Sequence, residues 1–228
     1  MIIYSLLLQA TEPVLLTPDA LETITLWELL LKGGYMMIAL TLLWVFAIYI
    51  FVERMLVIKA SGKTPDSFQD EIKHKVLAGR IDEARLLCSQ WDTPVARMIE
   101  KGVSKIGTSL KNIEVSIENT GKIEIYRLEK NLSMLATISG AAPMMGFLGT
   151  VMGMIQAFIS IAQEEGAVSP KLLSSGIYEA MITTAFGLFI GILAYLGYNY
   201  LVTRVQKLVH RMEYTAIDFV DLLQEPQK

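Results

Sequence analysis

The sequence predicts an all-α integral membrane protein with three transmembrane helices and long helices that extend into the cytoplasm. Three observations lead to this class. Hydrophobic residues make up 53% of the 228 residues and charged residues only 19%, whereas a soluble domain carries about 25% charged residues. The apolar residues are concentrated in three long stretches. The segments between them show helical spacing of apolar positions and little of the alternation that is typical of strands.

The three apolar stretches cover residues 33–52, 132–162 and 176–202. A helix that crosses the bilayer core needs about 20 mostly apolar residues, and each stretch meets that length. The first two contain no charged residue, and the third contains only Glu179. Buried core helices of a soluble protein are the alternative, but runs of this length would leave too little polar surface to cover them. We therefore predict three transmembrane spans.

The positive charges predict the orientation of the spans. With three spans, residues 53–131 and the tail 203–228 lie on the same side of the membrane. Together they hold 18 of the 20 lysines and arginines, which identifies that side as the cytoplasm. The N-terminal segment 1–32 and the loop 163–175 are then outside, in the periplasm if the cell is Gram-negative. In such a cell we expect a multi-pass protein of the bacterial inner membrane with a cytoplasmic C-terminus.

The N-terminal segment carries one local signal. Asp19 and Glu22 have the spacing of a capping box, and the apolar residues that follow fall on one helical face. This pattern predicts an amphipathic helix at the periplasmic membrane surface, anchored by Trp27. A disordered arm is the alternative.

Residues 53–131 are predicted to form a cytoplasmic helical domain. The repeat of apolar positions is interrupted at Gly79 and again before Pro94, which is suited to the first position of a helix. A last helix is predicted from near Ser109 and to run into the second span without a break, with charged residues typical of a solvated stalk. Cys88 is expected on a buried helix face.

The second and third spans are rich in small residues. Gly149 and Gly153, and likewise Gly187 and Gly191, have the G-x-x-x-G spacing that lets helix backbones approach closely in lipid. Ala142 and Gly146 add a further step of the same kind. The first span is bulky instead, so we expect the second and third spans to form an inner layer. The helix-packing candidates are Gly146, Gly149, Gly153, Gly187, Gly191 and Pro143.

Pro143 lies inside the second span. Proline removes one backbone hydrogen bond and clashes with the preceding turn, so a kink is expected there. The freed carbonyl needs a partner, which Thr137, Ser139 or a pore water could supply. A purely structural kink and a functional one are both open interpretations.

The polar residues of the spans are candidates for a proton pathway: Thr150, Thr184, Glu179 and Thr183. Threonine hydroxyls that donate to the carbonyl of the preceding turn would be structural instead, and Glu179 could reach the headgroups. No Asp, Lys, Arg or His lies inside the spans. If the protein conducts protons, we therefore expect another polypeptide to supply the main titrating group.

Several function classes are not expected. The net charge of −3 does not suggest a nucleic-acid-binding protein. Cys88 is the only cysteine, and the two histidines lie far apart, so neither a disulfide nor a metal site is predicted. Without a catalytic constellation, no enzyme activity and no cofactor are expected.

Two motifs carry a family resemblance. Ala142 to Gly153 follow the pattern AP-x-x-G-x-x-GTV-x-G, and Glu179 to Leu188 follow EA-x-x-TTA-x-GL. With the residues around them, these motifs resemble the ExbB/TolQ/MotA proton-channel family and are most similar to ExbB. Three spans, a periplasmic N-terminus and a large cytoplasmic segment agree with ExbB and TolQ, whereas MotA would have four spans.

The resemblance implies an assembly. It implies a homopentamer whose second and third spans line a pore around an ExbD-like dimer of single-span subunits. The membrane aspartate of that partner would be the protonation site. Thr150 and Thr184 fall on the family's pore-lining threonine positions, and Glu179 falls on its acidic position.

The predicted function is a channel or stator subunit of a motor driven by the proton-motive force. With its ExbD-like partner and a TonB-like protein, it would energise TonB-dependent transport across the outer membrane. The alternatives are a TolQ-type motor for envelope integrity, a gliding or secretion motor, and a non-conducting membrane scaffold. The expected partners are further copies of the chain in the homopentamer, the ExbD-like and TonB-like proteins and membrane lipids.

Overall fold

A computed structural model of the chain describes residues 34–65, 67–163 and 170–224, with side chains in the last range at 174 and 176–224. Within these ranges the chain forms α-helices and no strand. The helix predicted from Asp19 lies outside the described residues. The described helices are α1 Gly34–Ser61, α2 Ser67–Leu77, α3 Ile81–Ser89, α4 Pro94–Val103, α5 Leu110–Glu129, α6 Leu132–Gln163 and α7 Pro170–Gln224.

Three of these helical regions are long and apolar enough to cross a membrane. They are α1, the region Leu110–Gln163 that comprises α5 and α6, and the part of α7 from Gly176 to Gln224. Each contains one of the predicted stretches, so the prediction of an all-α membrane protein with three spans is confirmed. Side chains such as Leu42, Phe147 and Ile192 are more than half exposed, as expected of helix faces that contact lipid.

The short helices begin and end at residues with identifiable roles. Thr93 caps α4 by accepting a hydrogen bond from the Ala96 amide at 3.4 Å, and Pro94 occupies the first turn as predicted. Gly79 adopts a φ of +69° between α2 and α3, a conformation that glycine takes without strain. Cys88 is buried as expected.

The prediction that α5 runs into α6 without a break is wrong. Asn131 lies between the two helices with a φ of +63°, and asparagine is one of the few non-glycine residues that tolerates this region. Its side-chain amide also donates a hydrogen bond of 3.3 Å to Glu53 Oε2 on α1. A tertiary contact to another helix therefore accompanies the break.

The helices pack in two regions. At one end, α6 and α7 lie against each other along their length, and α1 packs against both. At the other end, which we call the polar end, α2, α4 and α5 pack against α7, and α3 packs against α2 and α4. Buried apolar side chains that include Phe68, Ile99 and Ile117 pack with Met212 and Phe219 there. The hydrophobic core that lies between the spans thus continues into the polar end, around the extension of a membrane helix.

Candidate functional site

The helices α6 and α7 approach each other with backbone against backbone. A β-carbon at Gly146 would lie 2.8 Å from the carbonyl oxygen of Thr183. One at Gly187 would lie 2.6 Å from the carbonyl oxygen of Ala142 and 2.9 Å from the Cα of Gly146. Real β-carbons do not approach this closely, so only glycine fits at these two positions.

The same contact continues along both helices. A β-carbon at Gly149 would lie 2.5 Å from the hydroxyl oxygen of Thr183, and one at Gly153 would lie 3.1 Å from the Ala180 side chain. The small residues singled out in the sequence thus lie along one seam between α6 and α7. The structure brings together the two motifs that the sequence places about thirty residues apart.

Pro143 lies on this seam as well. The helix α6 runs through it without interruption. A β-carbon at Gly191 would lie 2.5 Å from Pro143 Cγ and 3.0 Å from the Ser139 carbonyl oxygen, which is the carbonyl that the proline leaves without its helical partner. The Ser139 hydroxyl donates instead to the Ala136 carbonyl oxygen at 2.7 Å, and Thr137 donates to Ser133. Gly191 therefore lets α7 pack directly over the proline ring.

The three threonines have different partners. The Thr184 hydroxyl donates a hydrogen bond of 3.0 Å to the carbonyl oxygen of Gly146 on the other helix. Thr183 is 1% exposed and donates to Ala180, and Thr150 donates to Phe147, each three residues earlier in its own helix. Back-bonding thus accounts for two of the hydroxyls, and an interhelical bond for the third.

Two of these threonines are accessible on the surface of the protomer. Thr150 and Thr184 are both half-buried, whereas Thr183 is enclosed between α6 and α7. Thr150 lies one turn from Gly146, so the two accessible hydroxyls lie at levels about 6 Å apart along α6. This places a pair of accessible hydroxyl groups next to the seam between α6 and α7.

Glu179 lies against the beginning of α1. A β-carbon at Gly34 would lie 2.0 Å from Glu179 Oε1, and Gly34 has a φ of +62°. The free amides at a helix N-terminus favour a negative charge nearby. The structure therefore joins Glu179 to the first span, a contact that the sequence analysis did not predict. The pair of glycines at the start of that span was the sequence signal that could have indicated a close approach of another chain segment.

A second polar cluster joins α1 to the break between α5 and α6. Arg54 on α1 is 4% exposed, forms an ion pair with Glu53, and donates a hydrogen bond of 3.2 Å to the carbonyl oxygen of Arg127. Asn131 bonds to the same Glu53 carboxylate. A buried charge persists only where it is paired and hydrogen-bonded, so this cluster holds α1 against the break between α5 and α6.

Glu124 extends this cluster toward α4. Its buried carboxylate accepts hydrogen bonds from Arg97 at 2.6 Å and from Arg127 at 2.8 Å. The hydrogen bond that Arg97 donates to Glu124 holds the pKa of the Arg97 guanidinium above its ordinary value. These residues were not singled out in the sequence, because i,i+3 charge pairs on an exposed helix look the same as buried ones.

Metal-binding groups are not assembled in the part of the chain that the structure describes. Among those residues, no three His, Cys, Asp or Glu side chains come together in a way that could hold a metal ion. Burial raises the pKa of the Cys88 thiol to about 12, so the thiol is protonated at neutral pH. The chemistry of the site therefore rests on hydroxyls, backbone carbonyls and Glu179.

Comparison with known proteins agrees with this arrangement. A model of the MotA/TolQ/ExbB proton channel family matches residues 90–214. A Synechocystis protein named as an ExbB-like biopolymer transport protein is 31% identical over 202 residues, which cover 85% of this chain and 76% of that protein.

Two further relatives align over shorter regions. A Methanothermobacter thermautotrophicus protein named as an ExbB homolog is 30% identical over 132 residues, 58% of this chain and 46% of its own. The Tol-Pal system protein TolQ of Haemophilus influenzae is 40% identical over 82 residues, 36% of each chain. The chain thus spans less than half the length of both. Because the family model covers more than half of the chain and includes both motifs of the α6–α7 seam, the chain belongs to the MotA/TolQ/ExbB proton channel family.

Proposed function

We propose that this protein is the channel-forming subunit of an inner-membrane motor driven by the proton-motive force. In this proposal it works with an ExbD-like partner to energise TonB-dependent transport across the outer membrane. Family membership supports the conducting role, and the names of two relatives include biopolymer transport. The observation that carries the proposal is the pair of accessible hydroxyls, Thr150 and Thr184, on a closely packed apolar helix pair.

The titrating group is proposed to come from the partner. Within the three predicted spans the sequence contains one residue that is charged at neutral pH, Glu179, and it lies near one end. A carboxylate at the bilayer centre costs about 2.5–3.5 kcal/mol on insertion scales, so it is retained where it is functional and faces polar groups. An aspartate on an ExbD-like helix would find such groups at Thr150 and Thr184.

Thr183 is proposed to act differently from the other two threonines. Its side chain fills the space beside Gly149 and is enclosed by the two helices. It therefore maintains the spacing of α6 and α7 rather than contacting a partner helix. Glu179, held at the beginning of α1, would attract protons at the entrance of the pathway.

The proposed mechanism converts proton flow into movement of the partner. Protons enter near Glu179, neutralise the partner's aspartate beside the hydroxyls, and leave toward the polar end, which in this proposal is cytoplasmic. Neutralisation removes the preference of the aspartate for a polar surface, so the partner helices move to the next subunit of a homopentamer. One charge that crosses 100 mV supplies about 2.3 kcal/mol for each step.

Proton flux through vesicles that contain both subunits tests this proposal. Thr184→Val removes the hydroxyl while keeping the shape, and we expect flux to fall at least fivefold, because the bond to Gly146 and the polar surface are both lost. Thr184→Ser keeps the hydroxyl and should retain most of the flux. Thr137→Val is the matched control, since Thr137 lies on α6 and bonds only within its own helix. Full flux in Thr184→Val would contradict the role of the hydroxyl.

A TolQ-type function in envelope integrity is the second candidate. The 40% identity to TolQ over 82 residues favours it. The two motors differ in their partners, so purification with an ExbD-like or a TolR-like subunit distinguishes them. A scaffold without conduction predicts no flux with either partner.

A further inference from the structure

Two neighbouring cavities lie along the seam between α1 and α7, and they differ in character. We call the two together the groove and each cavity a part of it. One part, of about 330 Å³, lies between the spans and is lined almost entirely by apolar side chains. The other, of about 630 Å³, lies beyond it toward the polar end and is lined by basic side chains. Both volumes are in the range of ligand pockets.

The apolar part of the groove lies within the membrane spans. Trp44 and Phe51 of α1 form one wall, and Leu193, Ala194 and Gly197 of α7 contribute to the other. Gly197 leaves room for the Phe51 ring against α7, because a β-carbon at this position would lie only 3.0 Å from that ring. An extended apolar chain suits this shape. At this depth in the membrane, the helices are surrounded by lipid acyl chains.

The basic part of the groove contains four cationic side chains: Lys59 from α1, and Arg204, Lys207 and Arg211 from α7. No acidic side chain lines it among the residues that the structure describes. Arg204 is held by the Tyr200 hydroxyl at 3.0 Å, and Arg211 donates to the Thr64 carbonyl oxygen at 2.9 Å. The two guanidinium groups are therefore oriented by the protein before any ligand binds.

The two parts lie on one helix face. On α7, Ala194, Gly197, Leu201, Arg204 and Leu208 follow one another at intervals of three or four residues, which keeps them on the same side of the helix. The rings of Phe51 and Tyr200 meet between the two parts, with centroids 6.5 Å apart. Tyrosine at this position is typical of the membrane–water interface. The groove thus passes from hydrocarbon depth to the headgroup region.

We propose that this groove binds an anionic glycerophospholipid. The lipid belongs to the leaflet on the side of the membrane where Arg204 lies. One acyl chain lies along Trp44 and Phe51, and the phosphate lies among Lys59, Arg204 and Lys207. Basic pockets between membrane helices recognise acidic headgroups in this way. A free phosphate would use only the basic half and would leave the apolar half without a ligand. The bound lipid would hold α1 against α7 at the edge of the membrane.

Trp44 provides a built-in probe of the groove. The chain has three tryptophans, so Trp27→Phe and Trp91→Phe leave Trp44 as the only one. This protein is placed in bilayers of zwitterionic lipid that contain phosphatidylglycerol or phosphatidylcholine with brominated acyl chains at equal fractions. We expect brominated phosphatidylglycerol to quench Trp44 fluorescence at a several-fold lower fraction than brominated phosphatidylcholine.

Charge removal tests the headgroup half. Each basic residue near an anionic lipid surface contributes about fivefold in affinity, so Lys59→Gln with Lys207→Gln should abolish most of the preference for phosphatidylglycerol. Lys101→Gln with Lys105→Gln is the matched control: both lysines are exposed and line neither part of the groove. The control should keep the preference unchanged. Quenching by brominated phosphatidylcholine reports in both variants that the fold is intact.

Three results would overturn the proposal. Equal quenching by the two lipids would mean that the basic part does not select the headgroup. Quenching by neither would mean that protein covers the groove. Release of the brominated phosphatidylglycerol by millimolar glycerol phosphate would mean that the site binds soluble phosphate and that the apolar part is not used.

Discussion

The hydroxyl of Thr184 on α7 donates a hydrogen bond to the carbonyl oxygen of Gly146 on α6, across 3.0 Å. This bond is possible because Gly146 has no side chain to separate the two backbones. A hydroxyl that bonds to a neighbouring helix fixes the rotation of one span relative to the other. Thr184 therefore links the packing of the helix pair to the polar surface on which the proposed conduction depends.

The close approach of α6 and α7 predicts that Gly187 does not tolerate a methyl group. In Gly187→Ala the new β-carbon would lie 2.6 Å from a backbone oxygen, so the helices must separate, at a cost of about 1–3 kcal/mol. Unfolding in detergent by chemical denaturant measures the loss. Gly140→Ala is the control on α6, where a β-carbon meets nothing within 4 Å. Equal stability of the two variants would contradict the backbone contact.

The buried carboxylate of Glu124 predicts a strong effect of charge removal. Glu124→Gln removes the carboxylate that Arg97 and Arg127 share, while Arg97 keeps its exposed partner Asp92. Breaking a buried pair costs about 3–5 kcal/mol, and the lower end is expected because the Arg97 side chain is 32% exposed. Glu118→Gln removes the exposed pair with Lys122 on the same helix and should cost about 0.5 kcal/mol or less. Denaturant unfolding compares the unfolding free energies of the two variants. Similar losses in Glu124→Gln and Glu118→Gln would contradict the buried network.

The buried thiol of Cys88 predicts a decline in stability at alkaline pH. The folded-state pKa of about 12 lies above the ordinary value of 9.0. The contribution of the protonated thiol to folding stability is therefore complete below pH 9. It is lost as the pH rises from there through the folded-state pKa. The difference in unfolding free energy between the wild type and Cys88→Ala should shrink by roughly 1 kcal/mol per pH unit above pH 9.5. A difference that is independent of pH would contradict this burial.

The contact between Gly34 and Glu179 predicts a position-specific effect of a methyl group. Gly34→Ala introduces both an unfavourable φ and a β-carbon 2.0 Å from Glu179 Oε1. Gly79→Ala is the control, since it has a φ of +69° and open space around the β-carbon. The control should lose only the conformational cost of about 1–2 kcal/mol.

Thermal unfolding and proton flux distinguish the two glycine variants. We expect Gly34→Ala to lower both the unfolding temperature and the proton flux, because the Glu179 carboxylate at the start of α1 must move. Gly79→Ala should leave the flux unchanged. Normal flux in Gly34→Ala would separate Glu179 from the proposed pathway.

Much of the fold could be predicted because hydrophobicity and spacing are properties of each helix by itself. The length of the apolar runs determined the three spans, the position of Pro94 determined the start of α4, and the two glycine-rich motifs indicated the family. None of these requires knowledge of a neighbouring helix, since the bilayer and the helical period impose them on the local sequence.

The tertiary structure alone decided which residues meet. Thr183 and Thr184 are adjacent in sequence, yet one is enclosed beside Gly149 and the other bonds to Gly146. Likewise, Glu179 meets Gly34 across more than a hundred residues of chain. The rotation of each helix about its axis is set by the packing of all the spans together. Periodicity places a residue on a face of its helix, but only packing determines what that face contacts.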